Sequence, residues 1–166
     1  GSDQQRATAA RVIHYLPDEP DHILMTLNEA IMKGRVWAPR VNVVKVNVRN
    51  GHTNVVKPGR RSITFWASDF HGNIRLGYGY QNFTGSTKDS ERVFVLVEDN
   101  GSLTDLTKTD WFSAEENWFE EHSVEGISED PNVMYISAPS QYGTDGIYAM
   151  NMRTGEILET VFEHKN

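Results

Sequence analysis

The chain contains no cysteine. That excludes a disulfide framework, a thiolate metal site and a cysteine nucleophile, and it fits any compartment. Long apolar runs are missing too, and none approaches the roughly 20 residues a membrane helix needs, so no membrane partner is expected. Positive charge is scarce: 16 Lys and Arg stand against 23 Asp and Glu, a net charge of −7. General nucleic-acid binding needs a positive surface, so no nucleic-acid partner is expected either. What remains is a chain of 166 residues, 38% hydrophobic, which suffices for one domain with its own core. Gly1 and Ser2 read as the remnant of a removed tag, and no signal peptide is visible.

The charge is unevenly placed. Residues 30–68 hold eight Lys or Arg and no acid, whereas residues 109–152 hold nine acids and neither Lys nor Arg. These are two solvated faces of unlike sign, or two surfaces that complement each other.

Three segments recur. Residues 44–51 (VKVNVRNG), 94–101 (FVLVEDNG) and 148–155 (YAMNMRTG) are each a β-rich run that ends in a turn with glycine. The turn glycines Gly51, Gly101 and Gly155 lie 50 and 54 residues apart. Such a period marks supersecondary units that cannot bury their faces alone and must stack on neighbours. A second element keeps the rhythm: Pro20 and Pro131 sit in acidic turns 111 residues apart, each leading into an apolar run. Residues 62–67 take that part in the middle unit. The pattern predicts an all-β fold, a partial β-propeller of about three four-stranded antiparallel blades. Residues 1–10 are expected to be a flexible N-terminus, and 11–166 a single β domain with units near 11–60, 61–121 and 122–166.

Val44, Val46 and Val48 alternate with polar residues, as in a half-buried strand. Residues 93–97 are apolar throughout, as in a strand covered on both faces. Asn50-Gly51 and Asn100-Gly101 are turn signals, since both residue types tolerate positive φ. Ile23, Leu24, Leu27, Ala30 and Ile31 fit a short helix ending at Gly34, but the match to residues 129–135 favours a strand followed by an irregular loop. Ser113 and Glu116 form a capping box that starts a helical turn carrying Trp118 and Phe119. Residues 82–91 read as an exposed loop.

Catalytic motifs are not convincing. The strand-turn-helix nucleophile pattern G-x-S-x-G does not occur; Gly85-Ser86 and the stretch around Ser140 lack the flanking glycines. His14, Asp18, Asp21 and His22 gather potential metal ligands without a recognised spacing, and no metal or cofactor is expected. Asp69 and Asp99 open short turns that resemble pieces of a calcium loop without its closing acid. Gly77 and Gly79 belong to a strand-like run rather than a phosphate cradle. The best candidate ligand-binding surface is Trp111, Phe112 and Trp118 beside Glu115 and Glu116, where aromatics flanked by carboxylates suit a cationic or peptidic ligand. Packing of those rings between neighbouring units is the competing explanation.

Residues 14–25 with 46–51, and residues 126–135 with 146–156, resemble the N-terminal region of bacterial prolyl oligopeptidase-family hydrolases. The resemblance spans nearly the whole chain but rests on generic blade motifs. It implies a β-propeller that precedes an α/β-hydrolase domain, caps its active site and filters peptides by size. That catalytic domain is absent from this sequence, so no catalytic residue carries over. The implied partners are the C-terminal hydrolase domain, the remaining blades and a peptide substrate. Uncovered blade edges would also favour a homo-oligomer. The alternative expectation is a self-contained sandwich or barrel that binds a peptide or sugar on Trp111 and Trp118.

Overall fold

A computed structural model describes residues 6–33, 36–60, 62–81, 91–113 and 118–164. Its strands form three four-stranded antiparallel sheets, so the all-β expectation holds. The first sheet runs β1 (Arg6–His14), β2 (His22–Lys33), β3 (Val36–Asn47) and β4 (Thr53–Lys57). The second runs β5 (Phe65–Ser68), β6 (Ile74–Gln81), β7 (Glu91–Val97) and β8 (Leu103–Asp105). The third runs β9 (Ser123–Ile127), β10 (Val133–Pro139), β11 (Asp145–Asn151) and β12 (Ile157–Phe162). In every sheet, strands adjacent in sequence are adjacent in space. A 3₁₀ turn (Leu106–Lys108) and two helical turns, α1 (Asp110–Ser113) and α2 (Trp118–Glu121), link the second sheet to the third. The chain divides into two compact units, Gly1–Phe94 and Val95–Asn166.

The three glycine turns are the links between the third and fourth strands of the sheets. Gly51, Gly101 and Gly155 have φ of +74°, +81° and +73°, the left-handed region that an L side chain resists. Asn50 and Asn100 do not share that conformation, contrary to expectation. Their side chains act instead: Asn50 Oδ1 accepts from His52 N at 2.9 Å and Asn100 Oδ1 from Ser102 N at 2.9 Å. Thr154 Oγ1 does the same for Glu156 N at 3.3 Å, which explains why threonine fits a position held elsewhere by asparagine.

The first and third sheets match in more detail. Asn47 Oδ1 accepts from the amides of Arg49 and Asn50, and Asn151 Oδ1 accepts from those of Arg153 and Thr154. Val48 N donates to Asp21 O at 2.8 Å, and Met152 N to Asn132 O at 2.7 Å. The two proline turns are therefore pinned against the two glycine turns in the same way.

Several expectations need correction. The proline turns feed the second strands of the first and third sheets, β2 and β10. The middle counterpart is the turn at residues 69–73 before β6, while residues 65–67 lie in the first strand, β5. β2 is a strand over its full twelve residues, with no irregular loop before Lys33. Its register with β3 runs from His22↔Asn47 to Lys33↔Val36 without a bulge, and twelve ladder pairs outweigh a local helical spacing. Burial in β3 does not alternate: residues 41–44 are all buried, and Val48 lies exposed in the turn. β7 behaves as expected, with residues 94–97 buried.

Cores form locally in each unit. Trp66 is fully buried, and its Nε1 donates to Val41 O at 2.8 Å, tying β5 to the first sheet. Opposite it in β6 stands Gly77, where a Cβ would lie 2.7 Å from the indole Cζ3. The ring fits only because that position is bare. Asp69, 4% exposed, anchors the β5–β6 turn by accepting from His71 N, Asn73 N, Asn73 Nδ2 and Arg75 Nε at 2.8 to 3.0 Å. Burial works to raise the Asp69 carboxyl, but Arg75, Asn73 and the two turn amides outweigh it and hold it below the usual carboxylate range.

Candidate functional site

α1 and α2 bring the aromatic residues of residues 111–122 into one cluster. Trp118 lies 5.9 Å from Trp111, 6.1 Å from Phe112 and 5.0 Å from Phe119, centroid to centroid. Most of these contacts are edge-on, the arrangement ring quadrupoles favour. His122 stacks on Trp118 at 4.9 Å, nearly parallel, with its Nδ1 2.9 Å from Trp118 O. Trp118 and Phe112 are buried, at 2% and 8% exposure. Trp111 is partly exposed and lies against Gly155 in the β11–β12 turn. Phe112 and Trp118 thus serve packing, and Trp111 is the member of the three that reaches solvent. Glu115 and Glu116 lie outside the described residues, as does most of the capping box and of the loop at 82–91. The helical turn carrying Trp118 and Phe119 is present as α2.

A second feature joins the second sheet to the third. Arg153, in the β11–β12 turn, grips Glu98 at the end of β7: Nη2 is 2.7 Å from Oε2 and Nη1 is 3.2 Å from Oε1. Its Nε donates to Asn132 Oδ1 at 2.7 Å. Glu98 in turn accepts from Thr104 Oγ1 of β8. The Glu98 hydrogen bond keeps the Arg153 guanidinium charged to even higher pH than usual. Glu98 occupies the place that Asn47 and Asn151 hold in the other sheets. There the side chain caps its own turn; here it reaches the neighbouring sheet. Arg49 repeats the inner half of the arrangement, with Nε on Asp21 Oδ1. This junction was missed in the sequence, although its signal is present as N-x-R-x-G at residues 47–51 and 151–155.

The remaining candidates are held in structural roles. His14 Nδ1 accepts from Leu16 N at 3.0 Å, which assigns the proton to Nε2, 2.9 Å from Phe70 O. Both ring nitrogens are thereby committed. His22 lies 3.5 Å from Glu19, whose carboxyl is lowered chiefly by its hydrogen bond from Lys45. Among the described residues no three His, Asp or Glu gather into a metal-binding group. Ser140 caps its own turn by accepting from Tyr142 N. No protein-family model matches the chain, and no curated protein matches it significantly.

Proposed function

We propose that this chain is a non-catalytic β-propeller segment, about three blades that gate or scaffold substrate access in a serine peptidase resembling the prolyl oligopeptidase family. The observation that carries the reading is the repeated turn. The same backbone and side-chain bonds recur in the first and third sheets, and the arginine of the third reaches into the second. Recurrence of one turn design in separate sheets is the mark of a repeat array, whose work lies in shape and surface. The aromatic segment supports this reading too, since Phe112 and Trp118 are buried against Trp111, which itself lies on the β11–β12 turn. The partners are then an α/β-hydrolase domain and further blades, with a peptide passing between them.

The test has two parts. A fluorophosphonate probe, which labels activated serines, should leave the chain unlabelled, and aminoacyl esters should hydrolyse at the background rate. Fused to the hydrolase domain of such a peptidase in place of its own propeller, the chain should suppress cleavage of long peptides more than short ones. Labelling, or equal cleavage at all lengths, would count against the proposal.

A further inference from the structure

β12 is the outermost strand of the third sheet, and all six of its residues are exposed. Four are large and apolar: Ile157, Leu158, Val161 and Phe162, at 48 to 56% exposure. An edge strand of this kind is a template for another strand, and natural edges are usually blunted by lysine, proline or several charges. Within β12 only Glu159 offers such protection. β4, the outermost strand of the first sheet, also exposes Val55 and Val56, at 58% and 45%, although it ends on Lys57, whose Nζ lies 5.9 Å from the Trp66 ring centroid, and Pro58 follows it.

Charge selects the occupant. β12 carries Glu159 and is flanked by Glu156 and Glu163; β4 carries Lys57, is preceded by His52 and is followed by Arg60. Two β12 strands paired antiparallel about a two-fold between Glu159 and Thr160 would set Glu156 opposite Glu163 twice, a like-charge arrangement that destabilises a ladder. Two β4 strands would concentrate base in the same way. β4 against β12 balances the charge. With Val55 opposite Glu159, Lys57 falls opposite Ile157 and diagonal to Glu159 on one face, and Thr53 falls opposite Val161.

We propose that β4 of one copy pairs with β12 of a second copy, joining the first sheet of one to the third sheet of the other. The contact is heterologous, so each added copy leaves one β4 and one β12 open, and growth continues past the dimer unless a ring closes. The proposal goes beyond the peptidase reading and stands independently of it.

Sedimentation velocity across a wide concentration range tests it, with far-UV circular dichroism to show that each variant stays folded. The wild type should rise in mass beyond a dimer, and salt should reverse the rise. Val161→Lys should leave a monomer. Lys57→Glu should weaken association about tenfold, as expected when a favourable pair becomes repulsive, and adding Glu159→Lys in the same chain should restore it. A chain that stays monomeric at every concentration overturns the proposal. So does a dimer that stops at two and ignores Lys57→Glu, which would point to β12 pairing with itself, and so does an association that binds only a separate protein.

Discussion

Arg153 holds Glu98 through both of its terminal nitrogens while its Nε rests on Asn132, so one side chain joins three segments spread over 55 residues. The first bond belongs to the link between two sheets and the second to the turn within one. A planar guanidinium with fixed donors can satisfy both at once, which an ammonium cannot. The position also explains why Glu98 replaces the turn-capping asparagine of the other two sheets.

Gly51 and Gly155 separate backbone strain from packing. Their φ values are nearly equal, and an L residue in that region costs about 1–2 kcal/mol. Around Gly51 a Cβ meets nothing within 4 Å, whereas at Gly155 it would lie 2.9 Å from Trp111 Cδ2 and closer still to its Cβ and Cγ. Gly51→Ala should therefore lose about 1 kcal/mol in urea unfolding. Gly155→Ala should lose about 1–3 kcal/mol more through overpacking. Equal losses would mean that Trp111 does not pack on the turn.

Asp69 sets an acid limb on stability. Its folded carboxyl is held below the ordinary value, so the stabilisation it provides is fully present above the unfolded pKa, near 3.9, and is lost as pH falls through the folded value. Asp69→Asn should cost about 2 kcal/mol at neutral pH, because Arg75 loses its charged acceptor. The same variant should flatten the fall in urea midpoint below about pH 4. An unchanged acid limb would assign it to other carboxylates.

Trp66 makes a buried bond that phenylalanine cannot replace. Trp66→Phe removes the donor to Val41 O and leaves space over Gly77. A loss of about 2–4 kcal/mol is expected from the combined hydrogen-bond and cavity effects. Guanidinium unfolding followed by far-UV circular dichroism measures it, and a loss under about 0.5 kcal/mol would show that the indole is not tied to the first sheet.

The sequence made the three third-to-fourth strand hairpins legible, because each needs a glycine at positive φ and a short polar acceptor just before it. It also made β7 legible, since a run apolar on both faces has few alternatives. β2 was harder: Ile23, Leu27 and Ile31 satisfy a helical spacing, and the decision lies in its pairing with β3, which no local window contains. The middle unit was misaligned because its Asp69 turn lacks the proline that marks the other two. The partners of Glu98 were out of reach for a related reason. A charge that bonds across sheets looks, in sequence, like any solvated residue beside a turn. In the candidate aromatic surface the residue types were evident, but Phe112 and Trp118 meet Trp111, Phe119 and each other only once α1 and α2 have formed.

The claim at the centre is that the sheets are repeats of one design and that a turn arginine holds the third to the second. A double-mutant cycle between Glu98→Gln and Arg153→Ala, read by urea unfolding, tests it most directly. The pair is partly exposed, so a coupling of about 1 kcal/mol is expected, with each single variant losing a similar amount. Glu98→Gln should show no coupling to Arg49→Ala, because Arg49 occupies the same turn position in another sheet. Additivity of Glu98→Gln and Arg153→Ala within about 0.3 kcal/mol would contradict the claim and leave the second and third sheets without this link.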